Sequence, residues 1–171
     1  KTASGIKMLT AYKLNGKVSS VMVDMGKPSF TAESLPTTLK EVPLNVPGLP
    51  EKAIVNEQLT VDGMNYDVTC VSVGNPHCVV FCGFVDKVDL QKIGPEFENN
   101  PVFPERTNTE FVRVVGPNEL KMRTWERGNG ETSACGTGAC AAVAAACETG
   151  KCNKGEDITV KVKGGDLIVN Y

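Results

Sequence analysis

Apolar and polar residues alternate along several short segments of this chain, which is the pattern of β-strands with one buried face. The predicted strands are residues 6–14, 18–24, 66–73, 78–84, 111–115, 120–126, 158–163 and 167–169. Asn15-Gly16 joins the first two strands, and this dipeptide favours a tight hairpin turn because both positions accept a positive φ. Gly116-Pro117-Asn118 and Gly164-Gly165 mark turns within the last two pairs. The chain is therefore predicted to be rich in antiparallel β-structure.

The segments between these strands predict little helix before residue 135. Five prolines between residues 27 and 59 exclude a long helix there and indicate an irregular connection: Pro28, Pro36, Pro43, Pro47 and Pro50. Residues 89–93 predict a short helix that Asp89 caps and Gly94-Pro95 ends. Residues 98–108 contain two further prolines and predict another loop.

An almost charge-free run at residues 139–147 is the longest apolar segment. It predicts a helix from Cys135 to about Glu148, which Gly150 ends. A helix without a polar face must be surrounded by protein, and alanines on all its sides let strands approach closely. We therefore expect an α+β fold in which a curved, mainly antiparallel sheet wraps around one central, alanine-rich helix.

Composition excludes several classes of function. With 41% apolar residues, 22% charged residues and a net charge of −2, the chain shows no basic surface for nucleic acid and no segment long enough to span a membrane. Seven cysteines are an odd number for a disulfide framework, and a single histidine without paired-cysteine spacing argues against a zinc site. We expect reduced thiols in a cytoplasmic protein, and no metal.

Cys135-Gly136-Thr137-Gly138 places a thiol at the N-terminus of the predicted central helix. The first N–H groups of a helix have no partner within it, and the helix dipole is positive there, so the position stabilises an anion. That anion is either a bound carboxylate or the Cys135 thiolate, which can remove a proton from carbon. An isolated cysteine is more often a buried, inert thiol, but the neighbouring glycines expose backbone donors and favour the reactive interpretation.

Other polar residues each allow two interpretations. Glu126 and Arg127 form either a solvated pair or a clamp for a charged substrate, because a guanidinium binds a carboxylate through two hydrogen bonds. His77 is either a structural histidine or part of a site, since Gly74-Asn75-Pro76-His77 predicts a turn or bulge where side chains often point into a site. Asn75 and Asn108 either stabilise their loops or belong to the same site.

Taken together, these segments resemble those of diaminopimelate epimerase. The resemblance covers most of the chain and rests on segments in the family's order: GNPH at 74–77, FPERTN at 103–108, ERGNGET at 126–132, CGTGA at 135–139 and GGDL at 164–167. The Cys-Gly-Thr-Gly piece alone is shared with related racemases, so the combination carries the specificity. The resemblance implies a fold of two pseudo-symmetric halves, each a sheet wrapped on a central helix, with the active site between them.

The activity that the resemblance implies is the cofactor-independent interconversion of LL- and meso-diaminopimelate in lysine synthesis. Cys135 matches one of two catalytic cysteines, which act as acid and base on opposite faces of the α-carbon. Glu126 and His77 match residues that tune the thiols, and Glu126 also contacts substrate.

The resemblance also implies a set of substrate contacts. Asn75, Asn108 and Arg127 match residues that bind the distal amino-acid end of the substrate. Gly136 and Thr137 match backbone contacts to the reacting carboxylate.

One part of the family pattern is missing. The family's first half carries the other cysteine in a Cys-Gly-Asn-Gly type segment, and no such segment occurs here. The chain begins at Lys1, and the family's last strand pair is not found after Tyr171. We therefore expect residues 1–171 to be the C-terminal domain, inactive without its other half, with the segment up to about Thr10 in the crossover between the halves.

Two alternatives stay open. A related racemase would act on proline-like substrates, although Glu126, Arg127 and Asn108 argue against a substrate with no distal charged end. A non-catalytic module would instead bind or assemble, for example as a homodimer, through the apolar surface of half an interdomain cleft.

Overall fold

The computed structural model describes residues 6–43 and 52–171. Its strands are β1 (Met8–Leu14), β2 (Lys17–Asp24), β3 (Val42–Pro43), β4 (Lys52–Ala53), β5 (Glu57–Val61), β6 (Met64–Ser72), β7 (Pro76–Phe81), β8 (Asn108–Gly116), β9 (Glu119–Glu126), β10 (Gly130–Thr132), β11 (Asp157–Val162) and β12 (Gly165–Asn170). Its α-helices are α1 (Leu90–Glu98) and α2 (Gly136–Glu148), and short 3-10 helices span Ala32–Ser34 and Val85–Lys87. No helix within these ranges has the length and apolar character needed to cross a lipid bilayer.

One open, curved sheet contains most of these strands. Across the described residues its order is β12-β11-β9-β8-β7-β6-β5, and β10 pairs with β9 beside this path. The β7–β8 and β9–β11 pairs are parallel, and the other pairs in the sheet are antiparallel. The predicted α+β fold with a mainly antiparallel sheet is confirmed.

The sheet separates two apolar cores because side chains along a strand alternate between its faces. Val79, Val112 and Met122 lie on one face and pack in the cluster that contains the alanines of α2. Phe111 and Trp125 lie on the opposite face and pack with Phe97 of α1. Each α-helix therefore covers a different face of the sheet.

Helix α2 is almost entirely buried, as its charge-free sequence predicts. Its buried residues are Gly138, Ala139, Ala141, Ala142, Val143, Ala144, Ala145, Ala146, Cys147 and Glu148. Cys140 is only partly buried, so one position of the predicted dry run reaches the surface. The helix ends before Gly150, which has a φ of 71° as a left-handed residue after a helix does.

Helix α1 is longer than its sequence signals predict. Asp89 caps it by accepting a hydrogen bond from the Lys92 backbone N–H, as expected, but the helix continues through Gly94-Pro95 to Glu98. The predicted end at Gly94-Pro95 is therefore wrong. Gly94 serves close packing instead, because a Cβ at this position would lie 2.3 Å from the Trp125 ring.

The irregular connection predicted for residues 27–59 extends too far at its C-terminal end. Strand β5 already begins at Glu57 and pairs with β6 through the turn at Asp62 and Gly63, whose φ values are 47° and 74°. Asp62-Gly63, between two segments of alternating apolar and polar residues, is itself a strong hairpin signal. The prediction gave more weight to the prolines upstream and missed it. Residues 27–43 contain no α-helix in the structure, whereas Pro47 and Pro50 lie outside the described residues.

The predicted first hairpin is confirmed and forms a separate two-stranded sheet. β1 pairs with β2 through Asn15 and Gly16, whose φ values are 51° and 77°. Every residue of both strands is exposed. The exposed apolar side chains include Met8, Leu9, Leu14, Val18 and Met22. Neither face of this hairpin is covered by the described part of the chain.

Candidate functional site

Cys135 lies at the N-terminus of α2, as predicted. It is the N-cap residue, with the extended backbone (φ −134°, ψ 109°) that a cap requires, and its Sγ accepts a hydrogen bond from the Gly138 N–H at 3.3 Å. The Thr137 Oγ1 lies 3.4 Å from the same sulfur. Gly136 is the first helical residue and is exposed, whereas Cys135 is only 7% exposed. The thiol thus has a backbone donor and a hydroxyl beside it.

His77 belongs to β7 rather than to a turn. The turn predicted at residues 74–77 is shorter, because β7 begins at Pro76 and the chain reverses at Gly74, which has a φ of 96°. The His77 side chain is completely buried, and its Nε2 lies 3.1 Å from Asn75 Oδ1. The Asn75 Nδ2 donates to Thr137 Oγ1 at 3.4 Å. His77 is therefore connected to the Cys135 thiol through two intervening side chains.

A buried carboxylate that the sequence analysis did not single out completes this chain. Glu110 is fully buried, and its Oε1 lies 2.8 Å from His77 Nδ1. Its position on β8 places it on the face that carries α2, together with Val112 two residues later. The alternation of buried and exposed positions along the strand could have identified Glu110, but the predicted strand began at Phe111 and did not include it.

The side chain of Asn108 contacts the backbone of Arg127. Asn108 begins β8, where it pairs with His77, and its Nδ2 donates to the Pro76 carbonyl at 2.8 Å. Its Oδ1 accepts from the Arg127 N–H at 3.0 Å. The Arg127 guanidinium donates to the Glu105 carbonyl at 3.0 Å. Asn108 therefore ties the start of β7 to the end of β9.

Glu126 ends β9 next to the same site. Its Oε1 accepts a hydrogen bond from Thr132 Oγ1 at 2.6 Å, across the pair that β9 forms with β10. Its negative charge acts on Cys135, since it is one of the groups that raise the pKa of that thiol. The solvated pair of Glu126 with Arg127, one of the two interpretations of the sequence, is not formed among the hydrogen bonds and ion pairs of the described residues, because each side chain has a different partner.

A second buried carboxylate, also not predicted, holds the loop that carries Arg127. Glu98 Oε2 accepts from Trp125 Nε1 at 2.7 Å, and its Oε1 accepts from the Gly128 N–H and from Arg106 Nη1, both at 2.8 Å. Helix α1, the loop after it and the turn after β9 are therefore held by one side chain. No local sequence pattern predicts the hydrogen bonds of Glu98 to Trp125 and Gly128, because these residues are far from it in the chain.

The glycine pair at the last hairpin supports the segment before Cys135. The Gly164 N–H donates to the Ser133 carbonyl at 2.7 Å, and a Cβ on Gly164 would lie 3.1 Å from that oxygen. A larger residue would push the Ser133 segment away. The β11–β12 turn thus helps to place the thiol at the helix N-terminus.

The thiol is less acidic than the sequence analysis suggests. The pKa of Cys135 is raised to about 11, first by burial and then by the negative charge of Glu110. The hydrogen bonds from Thr137 and from the Gly138 N–H lower the pKa, as expected at a helix N-terminus, but their effect is smaller. Cys135 is therefore a protonated thiol at neutral pH in this chain.

The structure brings together the residues at the N-terminus of α2 and those at the start of β7. Cys135, Thr137, Asn75 and His77 form one connected group, and Asn108 lies beside His77. Glu126 is near enough to act electrostatically on the thiol. This arrangement can move a proton at sulfur, and the first turn of α2 carries backbone N–H groups that have no partner within the helix and can bind an anion.

Comparison with known proteins gives a consistent family. The profile of the family described as "Diaminopimelate epimerase" matches residues 69–171. A diaminopimelate epimerase from Trichodesmium erythraeum is 50% identical over 151 residues, which is 88% of this chain and 51% of that protein. A diaminopimelate epimerase from Agathobacter rectalis is 43% identical over 171 residues, which is 100% of this chain and 58% of that protein. The chain thus spans little more than half the length of these relatives.

The fold also occurs in solved structures of other proteins. The crystal structure of a probable proline racemase from Agrobacterium radiobacter, with bound carbonate, superposes with a TM-score of 0.63 at 15% identity. The superposition covers 98% of this chain and 49% of that protein. At this identity the similarity concerns the fold alone.

Proposed function

Because the chain belongs to the diaminopimelate epimerase family, we propose that it supplies one of the two catalytic thiols of a cofactor-independent isomerase that interconverts LL- and meso-diaminopimelate. The observation that carries the proposal is the Cys135 thiol at the N-terminus of α2, connected through Thr137 and Asn75 to His77. An isolated, inert thiol would not need this arrangement of donors.

The proposed reaction inverts the α-carbon by removing a proton from one face and adding a proton to the other. A thiolate removes the α-proton from one face, and a thiol on the opposite face delivers a proton to the same carbon, so the substrate gains and loses no atoms overall. Cys135 has a pKa of about 11 and is protonated at neutral pH, which suits the proton donor in one direction of the reaction. In the reverse direction the resulting thiolate is the base.

The helix N-terminus stabilises the charge that develops during this transfer. Removal of the α-proton places negative charge on the substrate carboxylate, and N–H groups aimed at that carboxylate lower the barrier. The backbone of Gly136 and Thr137 supplies such groups at the start of α2. His77 and Glu126 adjust the protonation of the thiol, and Glu126 also contacts the substrate.

The distal amino-acid end of the substrate is bound by Arg127, Asn75 and Asn108. Among the described residues the guanidinium of Arg127 donates only to the backbone carbonyl of Glu105, so it is available to bind a carboxylate. Asn108 holds the Arg127 backbone and the Pro76 carbonyl, so its contribution includes positioning Arg127.

The second thiol comes from another half of a longer protein. Relatives are nearly twice as long as this chain, and the β1–β2 hairpin exposes apolar side chains on both faces that such a half would cover. On this basis residues 1–171 are the C-terminal domain, inactive alone, with the first residues in the crossover. A cytoplasmic location keeps the thiols reduced, and homodimer formation stays a prediction.

The proposal is tested with the full-length protein and LL-diaminopimelate, with conversion to the meso form followed by chiral chromatography. We expect conversion without any added cofactor, and none by the 171-residue chain alone. L-proline in a parallel reaction tests the alternative of a proline-type racemase. Racemisation of proline in preference to diaminopimelate would contradict the proposed substrate.

A further inference from the structure

Glu110 has no role in the function proposed above, yet it is the most deeply buried charge near the thiol. Its side chain is fully buried, and its Oε1 contacts His77 Nδ1 at 2.8 Å. The other oxygen, Oε2, is buried without a hydrogen-bond partner among the described residues. Burying a carboxylate is costly unless a strong partner compensates, so the contact with His77 must be strong.

The first turn of α2 is shaped around this carboxylate. A Cβ on Gly138 would lie 2.6 Å from Glu110 Oε1 and 3.2 Å from its Cγ and Cδ. Gly138 also donates its N–H to the Cys135 sulfur. The glycine that contacts the thiol is therefore the residue whose missing side chain makes space for Glu110.

The hydrogen bonds from His77 toward the sulfur run in one direction. Asn75 Oδ1 can only accept, so His77 Nε2 carries a proton and donates to it. The amide Nδ2 of Asn75 then donates to Thr137 Oγ1. Because that hydroxyl oxygen already accepts a hydrogen bond, its own proton is free to point at Cys135 Sγ.

The state of His77 follows from its second nitrogen. With Nε2 protonated, a neutral ring would leave Nδ1 without a proton, so only a protonated, neutral Glu110 could bond to it. An ionised Glu110, which has a single partner and no water-exposed surface, needs an opposite charge beside it. An imidazolium that donates from both nitrogens meets both conditions.

We propose that Glu110 is a positioning residue, which holds His77 as an imidazolium protonated on both nitrogens and so directs the chain of donors through Asn75 and Thr137 to Cys135. Its catalytic meaning rests on the function proposed above. The positioning itself concerns only this chain and can be tested without any activity.

The charged groups around this unit come from two strands and one helix. Glu110 on β8 and Glu126 on β9 both act on the Cys135 thiol at the start of α2. Glu148, at the other end of α2, offers a matched control. It is also a buried glutamate with one unpartnered oxygen, but its partners are Tyr171 and Lys154.

The test is ¹⁵N NMR of the histidine ring in the full-length protein near neutral pH. His77 signals are assigned by their loss in His77→Gln. We expect both ring nitrogens of the native protein to show directly bonded protons. In Glu110→Gln, which keeps the size of the side chain but removes its charge, one nitrogen should lose its proton and shift to the unprotonated range. Glu148→Gln should leave both signals unchanged.

A singly protonated His77 in the native protein would overturn the proposal, and this result needs no variant. A Glu110→Gln spectrum that still shows both protons would overturn it as well. If Glu110→Gln does not fold, the native spectrum and that of Glu110→Asp, whose shorter side chain weakens the contact, still decide the question.

An activity measurement separates this proposal from the proposed function. With diaminopimelate as substrate, Glu110→Gln should lower kcat about tenfold or more and change KM much less, because it acts on the proton-transfer group rather than on substrate binding. Absence of activity in the native protein, together with a doubly protonated His77, would refute the function and leave the positioning role intact. Normal activity with a singly protonated His77 would do the reverse.

Discussion

Alanine at position 138 should destabilise the protein through a collision with Glu110. The new Cβ would lie 2.6 Å from Glu110 Oε1, a distance at which something must move. Glu110 cannot swing away freely, because it is fully buried and bonded to His77. Overpacking of this kind costs about 1–3 kcal/mol. Replacing a helical glycine by alanine returns about 1 kcal/mol, so the net loss should be between about 0 and 2 kcal/mol.

Gly136→Ala separates these two contributions. It lies in the same helical turn, and nothing approaches within 4 Å of its Cβ position, so the variant should be neutral or more stable. The difference in free energy of unfolding between the two variants, about 1–3 kcal/mol, therefore measures the collision. Urea unfolding followed by circular dichroism gives both values. Equal stability of Gly138→Ala and Gly136→Ala would refute the reasoning.

A double variant identifies the group that the alanine meets. Shortening the carboxylate with Glu110→Asp should remove much of the collision, so Gly138→Ala should cost less in that background than in the native protein. Additive losses in the double variant would mean that Glu110 is not the obstacle.

Three further results are expected from the site and the helix that supports it. Thr137→Val removes a hydrogen bond that lowers the pKa of Cys135, so it should slow alkylation of this thiol by iodoacetamide at pH 9. Glu126→Gln removes a charge that raises the same pKa, so it should speed the alkylation. Equal rates in the native protein and both variants would contradict both assignments. Because the folded pKa of Cys135, about 11, lies above the unfolded value of 9.0, the unfolded state loses its proton first, so stability should fall as pH rises through this window and fall less in Cys135→Ala. Gly94→Ala places a Cβ 2.3 Å from Trp125 and should destabilise α1 by about 1–3 kcal/mol, measured by thermal unfolding; a native melting temperature would show that the ring can move aside.

Local sequence signals predict the elements that local chemistry determines. The hairpin at Asn15-Gly16 and the helix between Cys135 and Gly150 both follow from turn residues and apolar pattern, and both are confirmed. Gly94-Pro95 is an equally local signal and predicts the end of a helix, but α1 continues through it to Glu98. Gly94 allows α1 to pack against the Trp125 ring, which is distant in the chain, and the helix continues through Pro95.

The candidate site is predictable only in part for a related reason. Cys135 stands out because its glycine-rich segment meets the start of an apolar helix. Glu110 and Glu98 do not stand out in the sequence, because what marks each as a buried carboxylate is a partner distant in the chain. That partner is His77 for Glu110 and Trp125 for Glu98. The pKa of Cys135 likewise depends on burial and on the charge of Glu110, and neither can be predicted from the sequence around residue 135.

The most direct test of a catalytic Cys135 is deuterium incorporation at the α-carbon during epimerisation of LL-diaminopimelate in heavy water. Cys140→Ala is the matched control, because it removes a different thiol, which is partly buried, from the helix that Cys135 caps. We expect Cys140→Ala to produce deuterated meso-diaminopimelate at close to the native rate and Cys135→Ala to produce none. Undiminished epimerisation by Cys135→Ala would contradict a role for this thiol in the reaction.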